Sequence, residues 1–184
     1  MQAPFGDFDD VRPAAEAVDL LCGPVAAAVS AWRGSVSVDQ FVHVDTAAEK
    51  ADTADFVAAY GAGLAAVSAN CVVVAGRRAG ETRLAACVVP AGLRLDVNGA
   101  VRRHLGVRKA SFAPRETVVD ESGMEYGGIT PLGLPAGWPV LLDPAVVGLP
   151  HVLVGSGTRR GKLILPGKAL LDLPGAEVVV GLGR

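Results

Sequence analysis

The chain has 184 residues, 51% hydrophobic but only 5% aromatic, with a formal net charge of −2. That length suits one domain whose core is built from small aliphatic layers, and the composition excludes a disordered or fibrous chain. The near-neutral balance excludes a protein that coats nucleic acid non-specifically, but not one that meets a nucleic acid locally.

Residues 1–10 read as a loose acidic terminus without the basic segment of a secretory signal. No apolar run reaches the ~18 residues needed to span a bilayer, so no membrane partner is expected and the compartment is read as cytoplasmic. From Arg12 to about Trp32, Ala, Val and Leu recur at helical spacing, and Gly23-Pro24 should end one helix and start another. Residues 1–35 are therefore read as a helical extension of the same domain that residues 36–184 complete. "SVDQFVHVD" (Ser37 to Asp45) alternates as a strand does. "DTADFVAAYGAG" predicts a short helix with Thr53 as candidate N-cap, ending at Gly61 or Gly63.

"VSANCVVVAG", "RRAGE" and "TRLAACVVP" form the clearest hairpin signal in the chain. "DVNGAVRRHLGV" follows as a helix starting at Asp96 or Asn98 and stopping near Gly106. "KASFAP" reads as a short strand, and "RETVVDESGMEY" as a helix or extended segment. Three further strands are predicted in "WPVLLD", "HVLVGSG" and "KLILP", and "GKALLDLPGAEVVVGL" closes with a short helix and a strand. Helices and strands mix without strict alternation, which indicates an α+β fold on a mixed, curled sheet.

Several familiar chemistries fail on spacing. "GSGTRRGK" (Gly155 to Lys162) lacks the four-residue gap of a phosphate loop and has Leu163 where Ser or Thr should stand. There is no G-x-S-x-G nucleophile elbow. His43, His104 and His151 stand alone. Cys22, Cys71 and Cys87 form neither a C-x-x-C pair nor a zinc spacing. Cys71 and Cys87 are expected near one another in the hairpin, as buried free thiols in a reducing compartment.

Two glycine-rich turns each carry a hydroxyl: Thr130 in "YGGITPLG" and Ser156 in "GSG". Paired glycines mark positive φ or close approach to the backbone. Both turns adjoin apolar strands and could share one rim, where backbone N–H groups would stabilise an oxyanion. A tight connection between strands is the alternative. Positive charge gathers at Arg102, Arg103, Arg108 and Lys109, and again at Arg159 and Arg160, as phosphate contacts or as solvated surface.

"GGITPLG" resembles the Gly-Gly-x-Ser/Thr-Pro-aliphatic-Gly loop of the YbaK-like proteins, relatives of the editing domain inserted in bacterial prolyl-tRNA synthetases. "VRRHLGVRKASFAPRETVVDESG", "PVLLD", "HVLVGSG" and "PGKALLDLPGAEVV" stand around it in the family's order, and the resemblance covers about Val38 to Val180. It implies a curled, barrel-like mixed sheet surrounded by helices. It also implies trans hydrolysis of a small amino acid wrongly esterified to tRNA, with proline-specific tRNA foremost, and without a nucleophilic side chain, metal or cofactor. By that resemblance Gly127, Gly128, Thr130 and Asn70 are the catalytic candidates. Thr53, Gly155, Ser156, Gly157 and Lys162 would bind substrate, and the two cationic clusters would bind tRNA. The implied partners are the acceptor end of an aminoacyl-tRNA and an aminoacyl-tRNA synthetase. Two departures stand out. Asn70 occupies the place of a family lysine, and Lys162 follows the "GSG" turn where many relatives carry an acid. The alternative reading is a non-catalytic homologue that binds an aminoacyl-tRNA end or another small ligand.

Overall fold

A computed structural model describes residues 2–184, Thr53 by its backbone alone. The chain enters through β1 (Val11–Pro13) and two single 3₁₀ turns, then α1 (Gly23–Ser30), β2 (Val42–Val44), α2 (Thr53–Tyr60) and α3 (Leu64–Val67). The long hairpin β3 (Ala69–Arg78) and β4 (Glu81–Pro90) follows, turning through Ala79 and Gly80, both at positive φ as a two-residue hairpin requires. Next come a wide helical turn, Val97–Val101, running into α4 (Arg102–His104), then β5 (Lys109–Phe112) and α5 (Arg115–Ser122). The C-terminal part adds β6 (Val140–Leu142), α6 (Pro144–Val147), β7 (Val152–Gly155), β8 (Lys162–Leu165) and β9 (Ala176–Val178).

The fold is α+β. One sheet is antiparallel in the order β1-β2-β8-β7; the other is mixed, β5-β3-β4-β6-β9, with β4, β6 and β9 parallel. A single parallel bridge, Ser68 to Leu153, joins them, so the strand array curls without closing into a barrel among the described residues. Period-two alternation explains the layering. Leu163, Leu165, Val152 and Val154 face Val88, Val140 and Leu142 across a shared core. The opposite faces are covered separately: Val42, Val44, Leu153 and Ile164 by Phe56 of α2, and Val74, Cys87 and Val89 by Val97 and Val101.

The N-terminal stretch departs from its helical spacing. Val11, Arg12 and Pro13 pair with Val44, His43 and Val42 instead, and Pro13 is tolerated because β1 is an edge strand. A sheet partner outweighed local periodicity. From Gly23 the helix does form, with Pro24 in its first turn, and it sinks Val25 and Val29 into the shared core. Asp96 starts the wide turn as expected, its carboxylate accepting from the N–H groups of Gly99 and Ala100 at 3.0 Å each.

Candidate functional site

A cleft of about 500 Å³ opens beside the bridge between the sheets. Its strand wall follows from incomplete pairing. β4 pairs with β3 along its whole length, but β5 covers only Val74–Arg77 and β7 reaches only Ser68. The intervening edge borders the cleft. The C=O of Val73 accepts from Ala113 N–H at 2.9 Å on that edge. By strand alternation Cys71, two residues earlier, turns its own N–H and C=O toward the cleft. Asn70, exposed, lies on the same wall.

The opposite wall is the pair of glycine-rich turns, interlocked through their backbones. Gly157 N–H donates to the Gly128 carbonyl at 2.9 Å, and Glu125 N–H donates to the Gly157 carbonyl at 2.8 Å. The Glu125 carboxylate accepts from Arg159 N–H at 2.6 Å. A Cβ on Gly128 would stand 2.2 Å from the Thr158 carbonyl oxygen, and one on Gly155 would stand 2.4 Å from the Gly128 oxygen. Gly128 and Gly155 are therefore bare because one turn presses on the other. Gly127 differs: it is exposed, lines the cleft, adopts φ +91°, and its N–H meets no acceptor among the described residues.

Neither hydroxyl lines the cleft. Thr130 is fully buried behind Ile129, and its Oγ1 has no partner among the described residues. Ser156, equally buried, donates within its own loop, with the carbonyls of Arg160 and Gly161 at 3.1 and 3.0 Å. Gly157 is buried in the same turn, and the Thr53 side chain lies outside the described residues.

Lys162 answers a question that spacing left open. It sits across the ladder from Gly155 and Val44, is 7% exposed, and points inward. Its ammonium reaches the Ala51 carbonyl at 3.3 Å and lies 5.7 Å from the Phe56 ring centroid. No carboxylate pairs with it among the described residues. Burial pulls its pKa below the usual lysine range, the Arg159 cation adds to that, and Asp52 opposes it. Asn70 and Lys162 thus share one cleft.

The two cationic clusters fare differently. Arg160 forms a bidentate pair with Asp45 at 2.7 and 2.6 Å, which holds the Asp45 carboxyl below its usual range. Arg159 bends over the loop toward the Tyr126 carbonyl at 3.4 Å. Arg102, Arg108 and Lys109 line a separate groove on the far side of β5 and form no ion pair among the described residues, and neither does Arg103 beside them.

The sequence reading missed Arg115, Tyr126 and Phe112 at the cleft mouth, where the Arg115 guanidinium lies 4.4 Å from the Tyr126 ring centroid. Tyr126 opens the loop motif, and Phe112 is one of only 5 phenylalanines in the chain, which are the signals available for both. Glu125, which clasps the two turns, carried none.

Other candidate chemistries find no support in the geometry. Cys71 stands opposite Val88 and Cys87 opposite Val72, so the two thiols lie on opposite faces of the hairpin. Burial raises both pKa values, that of Cys87 to about 12, which favours the protonated thiol over the thiolate. His43 is buried with Nε2 unpartnered among the described residues and is held below its usual range by desolvation, while His104 meets Glu177 at 2.9 Å. No group of three or more His, Cys, Asp or Glu among the described residues could hold a metal.

Comparisons with known proteins agree with this fold. A crystal structure of a candidate trans-editing enzyme for prolyl tRNA synthetase is similar at TM-score 0.66 and 25% identity, covering 91% of this chain and 95% of that one. A scaffold protein from epitope grafting by computational design shares the fold at TM-score 0.67 and 24% identity, covering 90% and 95%. So does a hypothetical protein at TM-score 0.63 and 21% identity, covering 73% and 85%. No curated protein matches significantly. The sequence profile of the aminoacyl-tRNA editing domain matches residues 47–173, well over half the sequence and all of the cleft, and the chain belongs to that family.

Proposed function

We propose that the protein hydrolyses, in trans, the ester of a mischarged tRNA carrying a small amino acid, with proline-specific tRNA as the first candidate and the cytoplasm as its place of action. The observation that carries this reading is the convergence, around one cleft, of a Gly127 N–H and a Cys71 strand edge that are unpaired among the described residues with the polar pair Asn70 and Lys162. Water attacks the ester carbonyl, the carbonyl oxygen becomes an oxyanion facing Gly127 N–H, and the ribose oxygen leaves with a proton. The neighbouring ribose hydroxyl assists. Thr130, fully buried behind Ile129, supports the loop that carries Gly127 and does not touch the water. Lys162 supplies the cation that the Asn70 position lacks and holds the negatively charged end of the substrate. Gly128, Gly155, Ser156 and Gly157 act by shaping the wall.

The cleft suits separate editing because discrimination between small side chains is worth only ~1–3 kcal/mol per methylene at a synthesis site. Asn70 favours a second reading, a homologue that binds the aminoacyl end without hydrolysing it, since Asn offers a hydrogen bond but no charge. Deacylation measured on a panel of mischarged tRNAs, including proline-specific tRNA with Ala, Ser, Thr or Cys, decides between them. Hydrolysis of at least one ester is expected; hydrolysis of none, with an aminoacyl analogue still bound, leaves the binding reading.

A further inference from the structure

β5 separates two features that the cleft chemistry does not use. At one end Phe112 is 64% exposed, although it belongs to a chain that is only 5% aromatic, and it stands at the cleft mouth. At the other end Lys109 enters a groove with Arg77, Arg102 and Arg108. None of these four cations has an acidic partner among the described residues. The register fixes the spacing: Phe112 lies opposite Val74 and Lys109 opposite Arg77, three residues or about 10 Å along the strand, so the two side chains leave opposite faces and a ligand joining them crosses the outer edge of β5. The outer edge of β5 has no strand beside it among the described residues. On the facing rim Tyr126, 52% exposed, is braced by the Arg115 guanidinium.

Exposed rings beside unpaired cations fit a polyanion that also carries flat aromatic groups. An acidic peptide would use the cations but leave the ring in water. A single-stranded nucleic acid uses both, because every base has a face to stack and every linkage a charge. We infer that Phe112 is a stacking platform for an unpaired base of a single-stranded RNA 3′ end, and that β5 leads its backbone to the Arg77–Arg108 groove. The inference rests on the editing reading only for which RNA is meant. It also selects between the two cationic clusters, leaving the Arg159-Arg160 loop as a structural clasp.

The test uses the full chain and a fluorescent single-stranded RNA ending in CCA, beside the same strand with its last three bases removed. The intact strand should bind wild type more tightly than the abasic one. Phe112→Ala should weaken the intact strand at least about fivefold, with the abasic strand unaffected, and Phe112→Trp should preserve binding. Arg77→Ala and Arg108→Ala should weaken both strands and reduce the log–log salt slope by ~0.7 for each phosphate no longer neutralised. Equal binding of intact and abasic strands, wild-type binding by Phe112→Ala, or equal capture of an oligoglutamate peptide overturns the proposal. Deacylation without Phe112-dependent binding overturns this track and leaves the editing reading standing. Phe112-dependent binding without deacylation of any mischarged tRNA does the reverse.

Discussion

On the turn wall of the cleft, Gly157 donates to Gly128, Glu125 accepts from Arg159, and Arg160 closes on Asp45. On the strand wall, among the described residues, the Asn70–Val73 edge lacks a strand partner and the cations beyond β5 have no ion pair. The first wall spends most of its polar groups on contacts within the protein. The second leaves its own facing outward. Two arginine-rich stretches that look alike in sequence therefore differ in what they are free to do, because partners rather than charge decide availability.

The sharpest way to break this comparison is one glycine on the turn wall. Gly128→Ala would place a Cβ against the Thr158 backbone, where nothing flexible can yield. It should cost ~1–3 kcal/mol, as overpacking does, and abolish deacylation. A melting temperature equal to wild type would show that the turns are not interlocked. The matched change on the strand wall, Asn70→Ala, should lower activity while stability stays within ~0.5 kcal/mol, because the residue is exposed.

Charge exchange across the cleft should come next in size. A charge-assisted hydrogen bond is worth ~1.5–3 kcal/mol against ~1 for a neutral one. Asn70→Lys should therefore raise deacylation most when Lys162 is also changed to Met, and less alone, since two cations in one cleft repel. Equal effects in both backgrounds would separate the two positions and end the view that Lys162 replaces a missing cation.

Lys162→Met alone should stabilise the fold, with a sign set by burial. The folded-state pKa of Lys162 is lowered, so the unfolded chain binds the proton more readily and the charged residue weakens the fold. That penalty is complete below the folded pKa and fades as pH rises toward ~10.4, the usual lysine value. Thermal melts should show the variant above wild type by a few degrees near neutral pH, at about 2–4 °C per kcal/mol for a domain of this size. The gap should shrink as pH rises toward that value. A gap that widens with pH would contradict the buried, strained ammonium.

The smallest effect is expected at Arg159 and Arg160. Reversing both charges should leave the salt slope of tRNA binding nearly unchanged, whereas reversing Arg108 and Lys109 should lower it by ~0.7 for each phosphate of the single-stranded end no longer neutralised. A large drop at Arg159 and Arg160 would return tRNA contact to the turn wall.

Most of the elements were readable from the chain because their signals are local. Two apolar runs flanking "RRAGE" give the β3–β4 hairpin, Asp96 caps the turn before α4, and Gly61 ends α2. The loop "GGITPLG" carried the resemblance, and in this chain Gly128 and Gly133 are bare because the Thr158 and Pro24 backbones press on them. The pairings were not readable. Val11–Pro13 looked helical until β2 offered it an edge, and the cleft exists only because β5 and β7 each stop short on β3. The side-chain directions were not readable either. Thr130 and Ser156, which looked like twins, are both buried away from the cleft by the packing of the two turns on one another, while Lys162 turned into it because its register on β8 points it there. Local sequence determined the turns, the hairpin and the family; only the tertiary structure decided which backbone edge stayed open and which cations stayed free, because both depend on partners far away in the chain.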